Sequence, residues 1–193
     1  SRQLSFVHLL GLVGTQLKEN TEVGHSLRPM GKHKMIQFGY DDGKHTNKSA
    51  GCAVRLSPST RSANTCRMHL SSVQGVGTTW KSGRRHFFRR DLRIKIILAY
   101  FPPQPWKQKM DKDALRKWHQ TTQALLSWIT EAWNATPHRV VPYVMTDLNS
   151  QLGTDDGVGV GIYAGGGQPK FIGHKMRDWM STHNAAAINT FFH

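Results

Sequence analysis

Apolar residues in this chain gather in short, nearly continuous runs set between long polar stretches. The first, Phe6-Val7-His8-Leu9-Leu10-Gly11-Leu12-Val13, has the pattern of a strand buried on both faces. A polar loop is expected over residues 16–28. Met35-Ile36-Gln37-Phe38 then predicts a short strand before the turn-forming Asp41-Asp42-Gly43, and residues 51–56 predict another, stopped by Ser57-Pro58. Residues 59–90 read as basic and irregular, with Val73-Gln74-Gly75-Val76 as a weak strand candidate. Arg93-Ile94-Lys95-Ile96-Ile97-Leu98-Ala99-Tyr100 is the strongest strand. It begins with alternation, turns fully apolar and ends at Phe101-Pro102-Pro103.

Over residues 111–134 the period changes. Leu115, Trp118, Thr122, Leu125, Trp128, Ile129 and Trp133 recur at spacings of three and four, which makes one apolar stripe of a helix. Acids stand near its start, where the helix dipole favours them, and Pro137 lies beyond its end. The tryptophans read as core in preference to a base-stacking platform. Tyr143-Val144-Met145-Thr146 is a further short strand. The glycine-rich residues 153–167 lack the Gly-Lys-Ser/Thr of a phosphate loop and the ligand spacing of a calcium loop, and read as a mobile surface loop. Residues 176–183 predict a short helix, and Ala187-Ile188-Asn189-Thr190-Phe191-Phe192 the start of another strand. Strands interleaved with one strong helix and long loops, without internal repeat or linker, indicate an α/β (α+β) fold in a single domain over 1–193.

Charge adds a partner class. The chain has 26 Lys and Arg against 12 Asp and Glu, a formal net charge of +14. Such a field attracts polyanions, nucleic acid first among them. Arg84, Arg85, Arg89 and Arg90 are its densest cluster and the candidate nucleic-acid contacts, although a run of charge also serves as an ordinary solvated face. Cys52 and Cys66 give neither a disulfide framework nor zinc-ligand spacing, and read as reduced thiols of an intracellular protein, nuclear or cytoplasmic. Two glycosylation sequons, at Asn47 and Asn134, are discounted because nothing resembles a secretion signal. No apolar run approaches the roughly 20 residues that cross a bilayer. The chain opens at Ser1 directly before a core-like segment, as a piece of a longer polypeptide would.

The candidate chemistry lies at Thr146-Asp147-Leu148-Asn149. Alternation along a strand would bring Asp147 and Asn149 out on the same side, at the tip of a buried element, where an acid and an amide could hold a metal ion and orient a water. Asp-x-Asn also makes an ordinary polar turn.

With that pair in place, the order of the segments resembles the endonuclease/exonuclease/phosphatase superfamily, the deoxyribonuclease I-like fold, and within it the endonuclease domains of non-LTR retrotransposons. Leu10-Gly11-Leu12-Val13-Gly14-Thr15-Gln16-Leu17 is similar to the family's strand end with Gln-Glu-Thr. Ala50-Gly51-Cys52-Ala53-Val54 resembles its Gly-(Val/Cys)-Ala strand, and Ile97-Leu98-Ala99-Tyr100-Phe101-Pro102-Pro103 its Tyr-x-Pro segment. Thr146-Asp147-Leu148-Asn149 resembles Gly-Asp-(Phe/Leu)-Asn. Ala187-Ile188-Asn189-Thr190-Phe191-Phe192 is similar to the Asn-Thr-x-Phe strand of the retrotransposon branch, with Asn189 and Thr190 in structural places.

The resemblance spans nearly the whole chain and implies two mixed β-sheets packed face to face with flanking helices. It implies a divalent cation, Mg2+ or Mn2+, polarising a phosphodiester near Asp147. Asp147 would orient or deprotonate the attacking water, Asn149 would hydrogen-bond the phosphate or its acid partners, and Tyr100 would donate its hydroxyl to a phosphate oxygen. All three would gather around one cation-ready pocket at the sheet tips.

Three departures bear on activity. The family's metal-binding glutamate aligns with Gly14, which has no side chain to coordinate anything; Gln16, Glu19 and Glu22 stand nearby but do not occupy its place. The family's first strand would precede Ser1. Its closing Ser-Asp-His segment would follow His193, and neither His183 nor His193 matches it. The expected function is a metal-dependent phosphodiesterase nicking DNA, weakened or inactive in this copy, with a reverse transcriptase region as a partner in the parent polypeptide. The alternatives are a non-catalytic nucleic-acid-binding remnant, or a phosphatase of the same fold acting on a small phosphoester.

Overall fold

The computed structural model describes residues 9–13, 26–30, 33–38, 52–56, 68–75, 78–89, 92–105, 111–153, 159–164 and 167–191. Backbone contacts divide the chain into two compact units: residues 1–100 with 119–146, and residues 101–118 with 147–193.

The first unit holds two four-stranded sheets. In one, β1 (Leu9–Val13), β4 (Cys52–Leu56), β3 (His33–Phe38) and β2 (Ser26–Met30) lie in that order, every pair antiparallel. This sheet is thus not mixed, as the resemblance implied. Strand β2 falls in the stretch expected as loop. It carries Pro29, which cannot donate to a ladder and is tolerated because β2 is an edge strand. The other sheet runs β5 (Met68–Gly75), β6 (Thr78–Arg89), β7 (Leu92–Tyr100) and β8 (Val141–Asp147). Residues expected to be irregular here form a long antiparallel hairpin, β5–β6, whose serines, threonines and arginines give no apolar periodicity. Between the sheets, β1 and β4 approach β7, and β3 and β4 approach β6.

Strand β7 is followed by α1 (Lys112–Asn134) and then by β8, its neighbour in the sheet. The Phe101 N–H donates to Asp147 O at 2.9 Å, so the two strands finish side by side and run parallel. A helix is the usual way to connect such a pair. Residues 95–100 of β7 are all buried, Ile97 and Ala99 fully, which explains the unbroken apolar run. From α1, Leu125, Trp128, Ile129 and Ala132 are buried in the same unit.

Lys95 is the exception in this apolar strand, at 1% exposed. Its ammonium donates to Ala132 O and, at 3.1 Å, to Thr136 Oγ1. Helix α1 has no basic residue in its own last turn. Lys95 supplies the cation from the strand, where the negative end of the helix dipole and its unpaired carbonyls favour one.

The second unit is built around α2 (Phe171–Thr182) and the first turns of α1. Helix α2 begins five residues earlier than its sequence pattern suggested. Its N-cap, Lys170, makes no side-chain capping bond, so no capping signal stands at that point. Ile172, Met176, Trp179 and Met180 are its buried face. The Trp118 indole donates to Pro102 O at 2.9 Å, and its ring meets Phe171 with centroids 5.7 Å apart. The expected last strand at residues 187–192 is instead a single parallel bridge, Val160 with Ala187, followed by a 3-10 turn at Ile188–Thr190. Thr190 explains it. Its hydroxyl donates back to Ala187 O at 2.6 Å and accepts Gly161 N–H at 2.6 Å, which closes the turn three residues on. The glycine-rich segment is correspondingly not all surface: Gly153, Val160 and Gly161 are buried, and a Cβ at Gly161 would overlap Thr190 O. Among the described residues no helix is long and apolar enough to cross a membrane.

Replacing Lys95 with Met keeps the apolar stem and removes the donors to Ala132 O and Thr136. Ala132 O keeps the Thr136 hydroxyl as a donor at 3.3 Å, so the expected loss is that of hydrogen bonds to a charged group, about 1.5–3 kcal/mol of stability, read as a lower urea midpoint. An unchanged midpoint would show that the helix end does not depend on this ammonium.

Candidate functional site

Asp147 is the last residue of β8, half-buried, and the chain turns immediately after it. The Asp147 Oδ1 accepts the Asn149 N–H at 2.9 Å. This is the polar turn that Asp-x-Asn favours: the acid's oxygen replaces the next rung of a ladder. Asn149 has φ 46°, in the left-handed region that Asn enters more readily than most residues. It therefore does not continue the strand, and the same-face alternation expected from the sequence does not hold. Its side chain instead folds back, the amide Nδ2 donating to Phe101 O at 2.7 Å.

Phe101 is thus held by both ends of its peptide group, its N–H on Asp147 O and its C=O on the Asn149 amide. Two residues brought together from 46 positions away lock one another in a closed ring of hydrogen bonds. Among the described residues, only Oδ1 of the Asp147 carboxylate is engaged. The carboxylate is fixed in direction and keeps an oxygen for an outside ligand.

The chain beyond the turn is fastened to α2. Ser150 Oγ accepts the Gly173 N–H at 3.2 Å, the Lys170 N–H reaches Gln151 O at 3.4 Å, and Arg177 Nη1 donates to Leu152 O at 3.0 Å. Gly173 is buried so tightly that a Cβ there would overlap Gln151 O. The turn is consequently pinned on both sides, by Phe101 before it and by the first turn of α2 after it. Sequence reading missed Ser150, Gly173 and Arg177. No signal marked them, since Gly173 lies three residues ahead of the helix that the sequence pattern predicts at 176–183.

The other expected site residues are distributed as follows. Tyr100 is the last residue of β7, belongs to the first unit and is 8% exposed. Arg84, Arg85 and Arg89 lie on β6, where consecutive positions belong to opposite faces, so positions 85 and 89 share a face that 84 does not. Arg90 lies outside the described residues, as do Gly14, Gln16, Glu19, Glu22, His193 and Cys66; Cys52 opens β4. Asn189 is exposed and Thr190 buried in the 3-10 turn. His183 caps α2, its ring stacked on Trp179 at 4.5 Å with Nδ1 2.8 Å from Trp179 O.

Among the described residues no group of three or more His, Cys, Asp or Glu side chains stands together to hold a metal ion. Asp147 alone offers a carboxylate at the turn. Magnesium retains several waters and takes one or two carboxylates together with substrate phosphates. The donor set thus fits an ion held by Asp147 and completed by water and substrate. Comparison of the chain with protein-family models, with curated proteins and with solved structures finds no match.

Asn149→Ala removes the amide bond to Phe101 O and puts a Cβ-bearing residue without polar compensation at positive φ. It should lose about 1–3 kcal/mol in urea unfolding. Asn149→Gly relieves the backbone strain and should lose less. Equal losses for both variants would place the whole effect in the side-chain bond.

Proposed function

We propose that this chain is a phosphodiester-directed domain of the endonuclease/exonuclease/phosphatase kind, acting on DNA. The observation that carries the reading is the locked Asp147–Asn149 turn at the carboxyl ends of a parallel strand pair. Ligands of α/β sheets characteristically bind outside such strand ends. The two four-stranded sheets, with β1, β3 and β4 approaching β6 and β7, suit the face-to-face sandwich that the ordered motifs imply. The net charge of +14 suits a long polyanion better than a small phosphoester.

In this reading the Asp147 carboxylate orients a water against phosphorus and takes its proton as the new P–O bond forms, while the P–O ester bond opposite breaks and the departing sugar oxygen leaves with a proton from solvent. Asn149 holds that carboxylate through its backbone N–H and keeps the strand ends together through its amide. A divalent cation bound at Asp147 would supply positive charge to the phosphate oxygens as the pentavalent state develops. Tyr100, at the end of β7, is the proposed hydroxyl donor to a phosphate oxygen.

A second reading is favoured by one specific observation: Gly14 stands where the resemblance requires a metal-binding glutamate. A site with a single carboxylate would hold its cation weakly, and the domain would bind nucleic acid without cutting it.

A supercoiled-plasmid nicking assay with magnesium or manganese tests both. Nicking that disappears in Asp147→Ala supports hydrolysis, and nicking that survives the substitution overturns the roles assigned here. If the parent chain is silent, Gly14→Glu should produce cleavage where the scaffold is intact. Hydrolysis of a small phosphomonoester without nicking would transfer the site to a small substrate.

A further inference from the structure

The positive charge of this chain is concentrated in one stretch. Between Asp42 and Asp91 there is no Asp or Glu, and ten Lys and Arg fall there. Most of its described part is the β5–β6 hairpin. Strand β6 has 12 residues, but its ladder with β7 runs only from Arg84, opposite Ile97, to Arg89, opposite Leu92. The remaining half of β6 pairs with β5 alone, from Leu70 opposite Gly83 to Gly75 opposite Thr78. Six residue pairs therefore form a two-stranded ribbon beyond the β6–β7 ladder, roughly 20 Å long at about 3.4 Å per residue.

The strands of that ribbon read Leu-Ser-Ser-Val-Gln-Gly and Thr-Thr-Trp-Lys-Ser-Gly, without an acid and rich in hydroxyl and amide groups. Lys81 stands at the middle of the ribbon, and Arg84 and Arg85 at its root where the ladder with β7 begins. A two-stranded antiparallel ribbon is one of the two elements that the B-DNA major groove, about 12 Å wide, admits. Hydroxyl, amide and ammonium groups are those that hydrogen-bond base edges and phosphates there.

We infer that the β5–β6 ribbon is the surface on which this chain docks duplex DNA, lying along the major groove, with Lys81 and Arg85, positions that share one face of β6, as its phosphate contacts. The inference rests on the DNA partner proposed above and adds the element, the groove and the strandedness. Of the arginine run 84–90 it uses Arg85, together with the ribbon centred on Lys81.

The test is equilibrium binding of the whole chain to a short fluorescent duplex, by anisotropy across a salt series with a chelator present so that no cleavage intervenes. Each phosphate contact adds about 0.9 to the slope of log K against log salt. Lys81→Ala should lower that slope by about 1 and the double variant Lys81→Ala, Arg85→Ala by about 2. Lys175→Ala, on α2 beside Phe171, should leave it unchanged. Lys81 lies outside the β6–β7 ladder, so the single variant carries the result even if the double variant fails to fold. Duplex binding with unaltered slopes in Lys81→Ala overturns the ribbon and leaves the DNA partner standing. Absence of any duplex binding overturns both. Single-stranded DNA of the same length binding more tightly than duplex overturns the groove assignment.

Discussion

The hydrogen bond from the Phe101 N–H to Asp147 O joins two strand ends that the chain separates by a whole helix. With it, Asp147 sits at the end of a parallel pair; without it, β8 would have no fixed finish and the Asp-x-Asn segment no fixed direction. The Asn149 amide on Phe101 O and the Asn149 N–H on Asp147 Oδ1 repeat the constraint from the other side. Each of these bonds has an atom of Phe101 or Asp147 in it, so removing one loosens the others. Such networks hold more than their separate bonds suggest. What the arrangement yields is a carboxylate aimed by its own turn. That is a chemical property, distinct from the stability the same bonds provide.

The turn can be this well defined because the elements on both sides of it are rigid for independent reasons. Strand β7 is buried along residues 95–100, and α1, which returns the chain to β8, is closed at its far end by Lys95. Downstream, Gly173 lets α2 approach the backbone at Gln151, and Ser150 and Arg177 bond across that approach. Lys95 and Gly173 both break the local pattern of their elements, a charge in an apolar strand and a glycine in a helix. Each break is matched by a partner elsewhere, as exceptions to local rules usually are in a folded chain.

Burial decided what the sequence revealed. Strands β1, β4, β7 and β8 and helix α1 announce themselves because their apolar positions follow continuous, alternating or helical periods. Strands β5 and β6 do not, because Ser71, Ser72, Thr78, Thr79 and Lys81 hold their ladder through backbone bonds that carry no hydrophobic signature. The start of α2 was hidden by the uncapped Lys170, and the end of the chain was misread because β-branched and aromatic residues at 188–191 suit a strand until Thr190 turns them. At the Asp147 turn, the sequence reading paired Asp147 with Asn149 but mistook the geometry that relates them. Alternation supposes a continuing strand, and only Asn149 at positive φ shows that the strand has ended. In the arginine run the strand adds what adjacency alone does not give, since positions 84 and 85 belong to opposite faces of β6.

The central claim is that the Asp147 turn is a place where a cation and a phosphodiester meet. Titration of the isotopically labelled chain with paramagnetic manganese, in the presence of uncleaved DNA, reads that place directly from which amide resonances broaden first. Broadening that begins at Phe101, Leu148, Asn149 and Ser150, and is lost in Asp147→Ala, is the result expected here. Broadening that begins elsewhere, or that persists unchanged without the Asp147 carboxylate, would contradict it.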